Sequence, residues 1–276
     1  MGWHAHLKID YRRDGDHTQA LDRHDGPLRV LQRLYPEGPS VCHHVLVHPP
    51  GGIVGGDGLA LELTLAEASH ALITTPGATR FYRSAGDTAL QTLDARLAPG
   101  ARLEWLPLET LAYSGCLAEN RMRFELAPGA EAIGWDVLAL GLPAADAAFE
   151  RGRFTQRIEL PGRWLERAVV DAQDHRLLDS PLGWAGQRVM GTLWFAAGST
   201  IADGRREALT DAAREVCSAH ALASRAGTTS PDAHVIVLRV LAARVEPAIN
   251  LLTQVWARWR AEAWGLAPCP PRVWRT

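Results

Sequence analysis

Between residues 59 and 160, apolar and polar side chains alternate with a period of two. In "LALELTL" (59–65), Leu59, Leu61, Leu63 and Leu65 share one face. In "RMRFEL" (121–126), Met122, Phe124 and Leu126 oppose Arg121, Arg123 and Glu125. In "RFTQRIEL" (153–160), Phe154, Ile158 and Leu160 carry Gln156 with them, against Arg153, Thr155, Arg157 and Glu159. Such runs predict half-buried strands. After about residue 200 the period lengthens. "DGRREALTDAAREVCSAHALA" carries a helical stripe of Leu209, Ala212, Ala213, Val216 and Ala219, and "AHVIVLRVLA" (233–242) reads as a buried strand. "EPAINLLTQVWARWRAEAWG" predicts a helix over 246–264, with Pro247 in the first helical position and Gly265 as the stop. Leu251, Leu252, Val255, Trp256 and Trp259 line its apolar face. "SRAGTTSPD" (224–232) reads as a flexible loop.

A weak repeat crosses this pattern. "LAPGARLEW" (97–105) returns as "LAPGAEAIGW" (126–135), and "LPGRW" (160–164) repeats the turn. Each Pro-Gly marks a tight turn between strands. Units spaced in this way predict a mostly β architecture of stacked hairpins, sheet on sheet or solenoid-like, with about two helices in the C-terminal third.

Composition narrows the function. The 276 residues are 47% hydrophobic, enough for a large core, and the formal net charge of -2 gives no reason to expect a nucleic-acid or acidic-membrane partner. The opening "MGWHAHLKID" lacks the apolar core of a signal peptide, so a cytoplasmic, soluble protein is expected. Cys42, Cys116, Cys217 and Cys269 form no C-x-x-C pair and read as scattered thiols. Lys8 is the only lysine, which removes enzymes that need a phosphate-binding or Schiff-base lysine elsewhere in the chain. "PGGIVGGDG" (50–58) tests that conclusion. Gly51 and Gly56 have P-loop spacing, yet Asp57 and Gly58 stand where the lysine and hydroxyl belong, and an anion there repels a triphosphate. The stretch reads as a turn that presents one carboxylate.

Two sets of residues could carry chemistry. Eleven histidines invite a metal reading, with His4 and His6 on one strand face and Cys42 and His44 on another. "VCHHVLVH", however, lacks helical ligand spacing and sends His43 and His44 to opposite faces. Carboxylates in apolar company are more unusual: Asp57 among glycines, Glu109 in "WLPLETLAYSG" and Asp136 in "GWDVLALG". Burying an ionised acid is costly unless it is paired, hydrogen-bonded or beside a cation. An arginine partner and a polar path or weak cation site through the sheet interior are both open readings.

Six segments, "GPLRVLQRLYPEG", "HPPGGIVGGDGL", "TTPGATRFYRS", "LEWLPLETLAYSG", "GWDVLALGLP" and "LRVLAARVEPAINLLTQVWARWR…PRVWRT", resemble in this order the UreD (UreH) family of urease accessory proteins. The resemblance spans Gly26 to Thr276. It implies a single domain over 1–276, strands stacked in a two-layered, superhelical arrangement, and a nickel-insertion chaperone rather than an enzyme. The implied partners are UreF directly, the GTPase UreG through UreF, and the urease apoprotein. No tightly bound cofactor is implied; the resemblance implies instead that Ni²⁺ passes transiently through an internal channel, with Asp57 and Asp136 at the matching acidic positions and Glu109 added here from its motif. His48, Gly55, Gly56, Arg80, Tyr82, Ser84 and Trp135 fall in the shared motifs, as structural or partner-binding positions. Carboxylates suit such a passage, because a tight thiolate-imidazole site would not release the ion.

Two rival readings remain at this level. One is a metal-dependent hydrolase with His43, His44, His48 and Asp57 as ligands; the other is a scaffold that bridges UreF and urease without carrying nickel. With GTP assigned to the partner, the purified chain is expected neither to bind nor to hydrolyse GTP. Equilibrium titration without UreG checks this, and micromolar affinity would contradict it.

Overall fold

The computed structural model describes residues 2–142 and 145–275. In chain order it begins with β1 (His4–Asp14), β2 (His17–Asp25), β3 (Arg29–Leu34), β4 (Val41–Val47), β5 (Gly58–Leu65), β6 (His70–Thr74) and the short β7 (Thr79–Phe81). β8 (Ala89–Leu97), β9 (Arg102–Trp105), the short β10 (Thr110–Ala112), β11 (Cys116–Leu126) and β12 (Glu131–Leu140) follow. β13 (Gly152–Leu160), β14 (Trp164–Asp171), α1 (His175–Asp179) and β15 (Val189–Ala197) lead to α2 (Asp203–Ala219), β16 (Ala226–Asp232), β17 (Val235–Ala242) and α3 (Val245–Trp264). The strands make two sheets, ordered β14-β13-β11-β8-β5-β1-β2 and β16-β17-β15-β12-β9-β6-β4-β3.

From β4 to β13, the short β7 and β10 of the second sheet aside, the chain passes alternately from one sheet to the other, and equivalent strands stack in parallel: β5, β8, β11 and β13 in the first sheet, β4, β6, β9 and β12 in the second. The repeat is therefore a coil of a solenoid. Leu65, Leu97 and Leu126 stand in register, and the turns after them are hydrogen-bonded to one another, Ala98 N to Leu65 O at 2.8 Å and Ala127 N to Leu97 O at 2.9 Å. A third copy, "LAEASH" (65–70), escapes the sequence pattern because Ala68 takes the left-handed position (φ 55°) that Gly100 and Gly129 occupy in the later coils. "LPGRW" breaks the series: its turn folds β14 back antiparallel on β13, in the same sheet.

Register also separates two tryptophans that the repeat appears to equate. Trp105 pairs with Gly134, so Trp135 is one residue out of phase and points to the other face. Trp194 lies over Gly134, where a Cβ would meet its ring at 2.4 Å. The stretch 224–232, expected to be a loop, contains the edge strand β16; its backbone pairs with β17, and a bulge precedes Asp232.

Two apolar clusters fill the space between the sheets, and a third lies between the second sheet and the helices. Gly265 ends α3 in the left-handed conformation as expected, while Pro247 is its third residue rather than its first. Trp256 and Trp259 are fully buried, and Trp259 Nε1 donates to Leu209 O of α2 at 2.7 Å. Trp259→Ala should cost about 3–5 kcal/mol in thermal or urea unfolding. Wild-type stability in that variant would place the helix outside the core.

Candidate functional site

Each coil has a short edge, carrying the stacked Leu-Ala turns, and a long return edge. The glycine-rich stretch is the first return, between β4 and β5. Ile53 bridges to Phe81, whose strand β7 pairs with β10, and β10 pairs with β12, so Ile53, Phe81, Ala112 and Leu140 form one buried row. Close stacking explains the glycines. A Cβ on Gly52 would meet the Tyr82 ring at 2.0 Å, and one on Gly55 would meet Ser84 Oγ at 2.1 Å. Gly56 has φ 90°.

Most of the residues singled out from the sequence collect on this edge. Asp57 is buried, and its carboxylate accepts from Trp3 N at 2.7 Å and Val54 N at 2.9 Å, which ties the return to the start of β1. Partial burial lowers the pKa of His48, and the charge of Asp57 opposes that fall. Tyr82 stacks at 4.8 Å against Tyr113 of the next return. Ser84 accepts from Gly86 N and donates to Asp87 O, closing its own turn. Arg80 is exposed, and Glu109 is half-buried, its carbonyl accepting from Thr79 N. Trp135 lies elsewhere, in the core on the helix side, with Nε1 bonded to Pro107 O at 2.6 Å and its ring 5.3 Å from Trp274.

A cavity of about 320 Å³ opens at the return edge. His48, Gly51, Gly52, Thr79 and Arg80 line it, and Gln91 and Trp105 reach it from between the sheets. Gln91 Nε2 is 3.5 Å from Asn120 Oδ1, and Asn120 Nδ2 is 3.4 Å from Asp136 Oδ1. Asp136 points from β12 into the interior, 7% exposed, with no arginine against it among the described residues. Burial pushes its carboxyl pKa up to about 7; Gln156, close by but without a hydrogen bond of regular geometry, opposes the rise.

The arginine-paired acid is Glu104, a residue the sequence reading passed over. It is fully buried on the opposite face of the second sheet, 2.8 Å from His70 Nε2, and it accepts from Trp256 Nε1 at 2.6 Å and Arg260 Nε at 3.2 Å. Burial alone would raise its pKa, but His70, Arg260 and Trp256 outweigh that and hold it low. Arg260 also pairs with Glu37, which lies 2.6 Å from His43. Asn120 was missed as well, and Gln156 was read on the apolar face of its strand without a role, although a polar residue in phase with such a face was the available signal.

The ligands of the hydrolase reading do not converge. His43 turns to Glu37, while His44 lies 2.6 Å from Tyr11 Oη with its pKa pushed down to about 4, chiefly by burial. His48 and Asp57 sit in the return edge. Among the described residues no three His, Cys, Asp or Glu side chains are grouped to hold a metal ion.

The carboxyl of Asp136 has a consequence for stability. Its folded pKa exceeds the unfolded value, so the folded state holds the proton more tightly, and its contribution is complete at low pH and lost as pH rises to the folded pKa. Asp136→Asn should therefore gain stability over the wild type as pH climbs from about 4 to about 7, then hold a constant lead. Melting temperatures across pH 4–9 check this; destabilisation at alkaline pH would mean that the ionised carboxylate has a partner.

Comparison with known proteins identifies the family. The family model described as UreD urease accessory protein matches residues 4–275. The chain is 64% identical to the urease accessory protein UreD of Leptothrix cholodnii, and 60% to that of Variovorax paradoxus, over the whole of each chain. It is 59% identical to the UreD of Paracidovorax citrulli over 99% of both. These matches, with the stacked two-sheet fold, show that the chain belongs to the UreD family of urease accessory proteins.

Proposed function

We propose that this protein is a non-catalytic maturation factor which, with UreF and the GTPase UreG, acts on the urease apoprotein and passes nickel through its own interior. The observation that carries the proposal is Asp136. A buried carboxyl with no cation against it among the described residues is expensive, and it lies two side-chain contacts from an open cavity. A carboxyl in that position can exchange its proton for the attraction of a passing divalent ion. An acid retained only for folding would be neutralised in place, as Glu104 is by Arg260 and His70.

The other residues of the return edge fit this reading in different ways. Asp57 braces the return edge through two backbone N–H groups and adds a negative charge near His48. Glu109 joins the path only as a half-buried acid of the same edge. The exposed members of the return edge, Arg80 among them, offer a surface for UreF or urease. No described helix is long and apolar enough to cross a membrane, which is compatible with the cytoplasmic role.

The test is Asp136→Asn, alone and with Asp57→Asn. With Asp136→Asn the complex with UreF, UreG and apo-urease should form in normal yield, yet the urease it produces should hold less nickel and show less activity. Asp57→Asn should in addition lower the melting temperature, because one backbone N–H loses a charged acceptor, at a cost of about 1–3 kcal/mol. Full nickel loading through an intact complex in the double variant would leave the bridging-scaffold reading in its place.

A further inference from the structure

Register places three amide side chains in a single row on the inner face of the first sheet. Gln91 of β8 stands opposite Asn120 of β11, and Asn120 stands opposite Gln156 of β13. Adjacent strands lie roughly 4.8 Å apart, so the row extends about 10 Å across the interior. Its first member is on the cavity wall and its second contacts Asp136. The third, Gln156, is 2% exposed; it lies close to Asp136, yet neither its Oε1 nor its Nε2 makes a hydrogen bond of regular geometry among the described residues. The Trp105 indole N–H, on the cavity wall, is likewise unpartnered.

A buried amide that makes no hydrogen bond costs free energy, and a methionine of similar size would remove that cost. The contact between Gln91 and Asn120, and that from Asn120 to Asp136, are both at the long limit for hydrogen bonds. The row is thus poorly justified as packing, but its donors and acceptors suit water and a hydrated ion. We propose that Gln91, Asn120 and Gln156 are a relay that carries a hydrated divalent cation from the cavity to Asp136 and on past it. This rests on the nickel passage proposed above. Amide carbonyls are hard oxygen ligands without charge, so each can replace a water on the ion without holding it, while Asp136 supplies the attraction. Rotation of a terminal amide turns either its oxygen or its nitrogen toward the row, so one side chain serves both ion and water.

Gln156→Met and Gln91→Met test the relay. Each should melt at or above the wild-type temperature, because an unsatisfied or weakly bonded amide is replaced by an apolar chain. With UreF and UreG present, each should load Ni²⁺ into apo-urease about tenfold more slowly, the worth of one hydrogen bond to a charged group. Gln156→Glu should turn passage into retention: the purified chain keeps Ni²⁺ through desalting where the wild type does not, and loading falls. The relay is overturned if both methionine variants load urease at the wild-type rate, or if they melt well below wild type, which would show the amides to be structurally bonded. Asp136→Asn separates the two failures. A loading defect there beside normal methionine variants removes the relay and keeps the passage, whereas normal loading in all of them removes both.

Discussion

In-register stacking of one coil on the next governs this molecule. Each Leu-Ala turn offers its backbone N–H to the carbonyl of the turn before it, and each strand repeats the facing of its neighbour. A parallel ladder of this kind tolerates no slip, because a shift of one residue would move Leu59, Leu61, Leu63 and Leu65 of β5, Leu93 and Leu97 of β8, and Met122 and Phe124 of β11 from the interior to solvent. The short edge is held nearly constant by that requirement. Variation is left to the return edge, where the chain can lengthen without disturbing the ladders, and the motif residues from His48 to Glu109 collect there.

Stacking also accounts for the polar interior. When like positions are superposed coil on coil, a polar residue in one strand is brought against a polar residue in the next, and Gln91, Asn120 and Gln156 become a row without any local sequence signature. The second sheet has a different environment on each side. Its outer face is covered by α3, where Glu104 is surrounded by His70, Trp256 and Arg260 and acts as a docking anchor for the helix. Its inner face holds Asp136 with amides and, among the described residues, no cation. The two carboxyls are both buried, yet burial is compensated in one and left standing in the other.

The sequence by itself determined the elements that local chemistry controls. Alternation specified β5, β11 and β13, including the inward facing of Gln156, and the helical stripe and Gly265 specified α3, because facing and chain termination depend on neighbouring residues alone. The lone lysine and Asp57 in the glycine-rich stretch excluded a nucleotide loop for the same reason. Ordered motifs identified the family, since they record the chain directly. The tertiary structure alone decided which coil edge each turn belongs to, that "LAEASH" is a third copy, and that 226–232 pairs as an edge strand. It alone assigned an arginine to Glu104 and, among the described residues, none to Asp136. Ion pairing, cavity and register are set by residues far apart in the chain, such as Glu104 and Arg260, and their separation in space follows from the stacking of whole coils rather than from any stretch that can be read on its own.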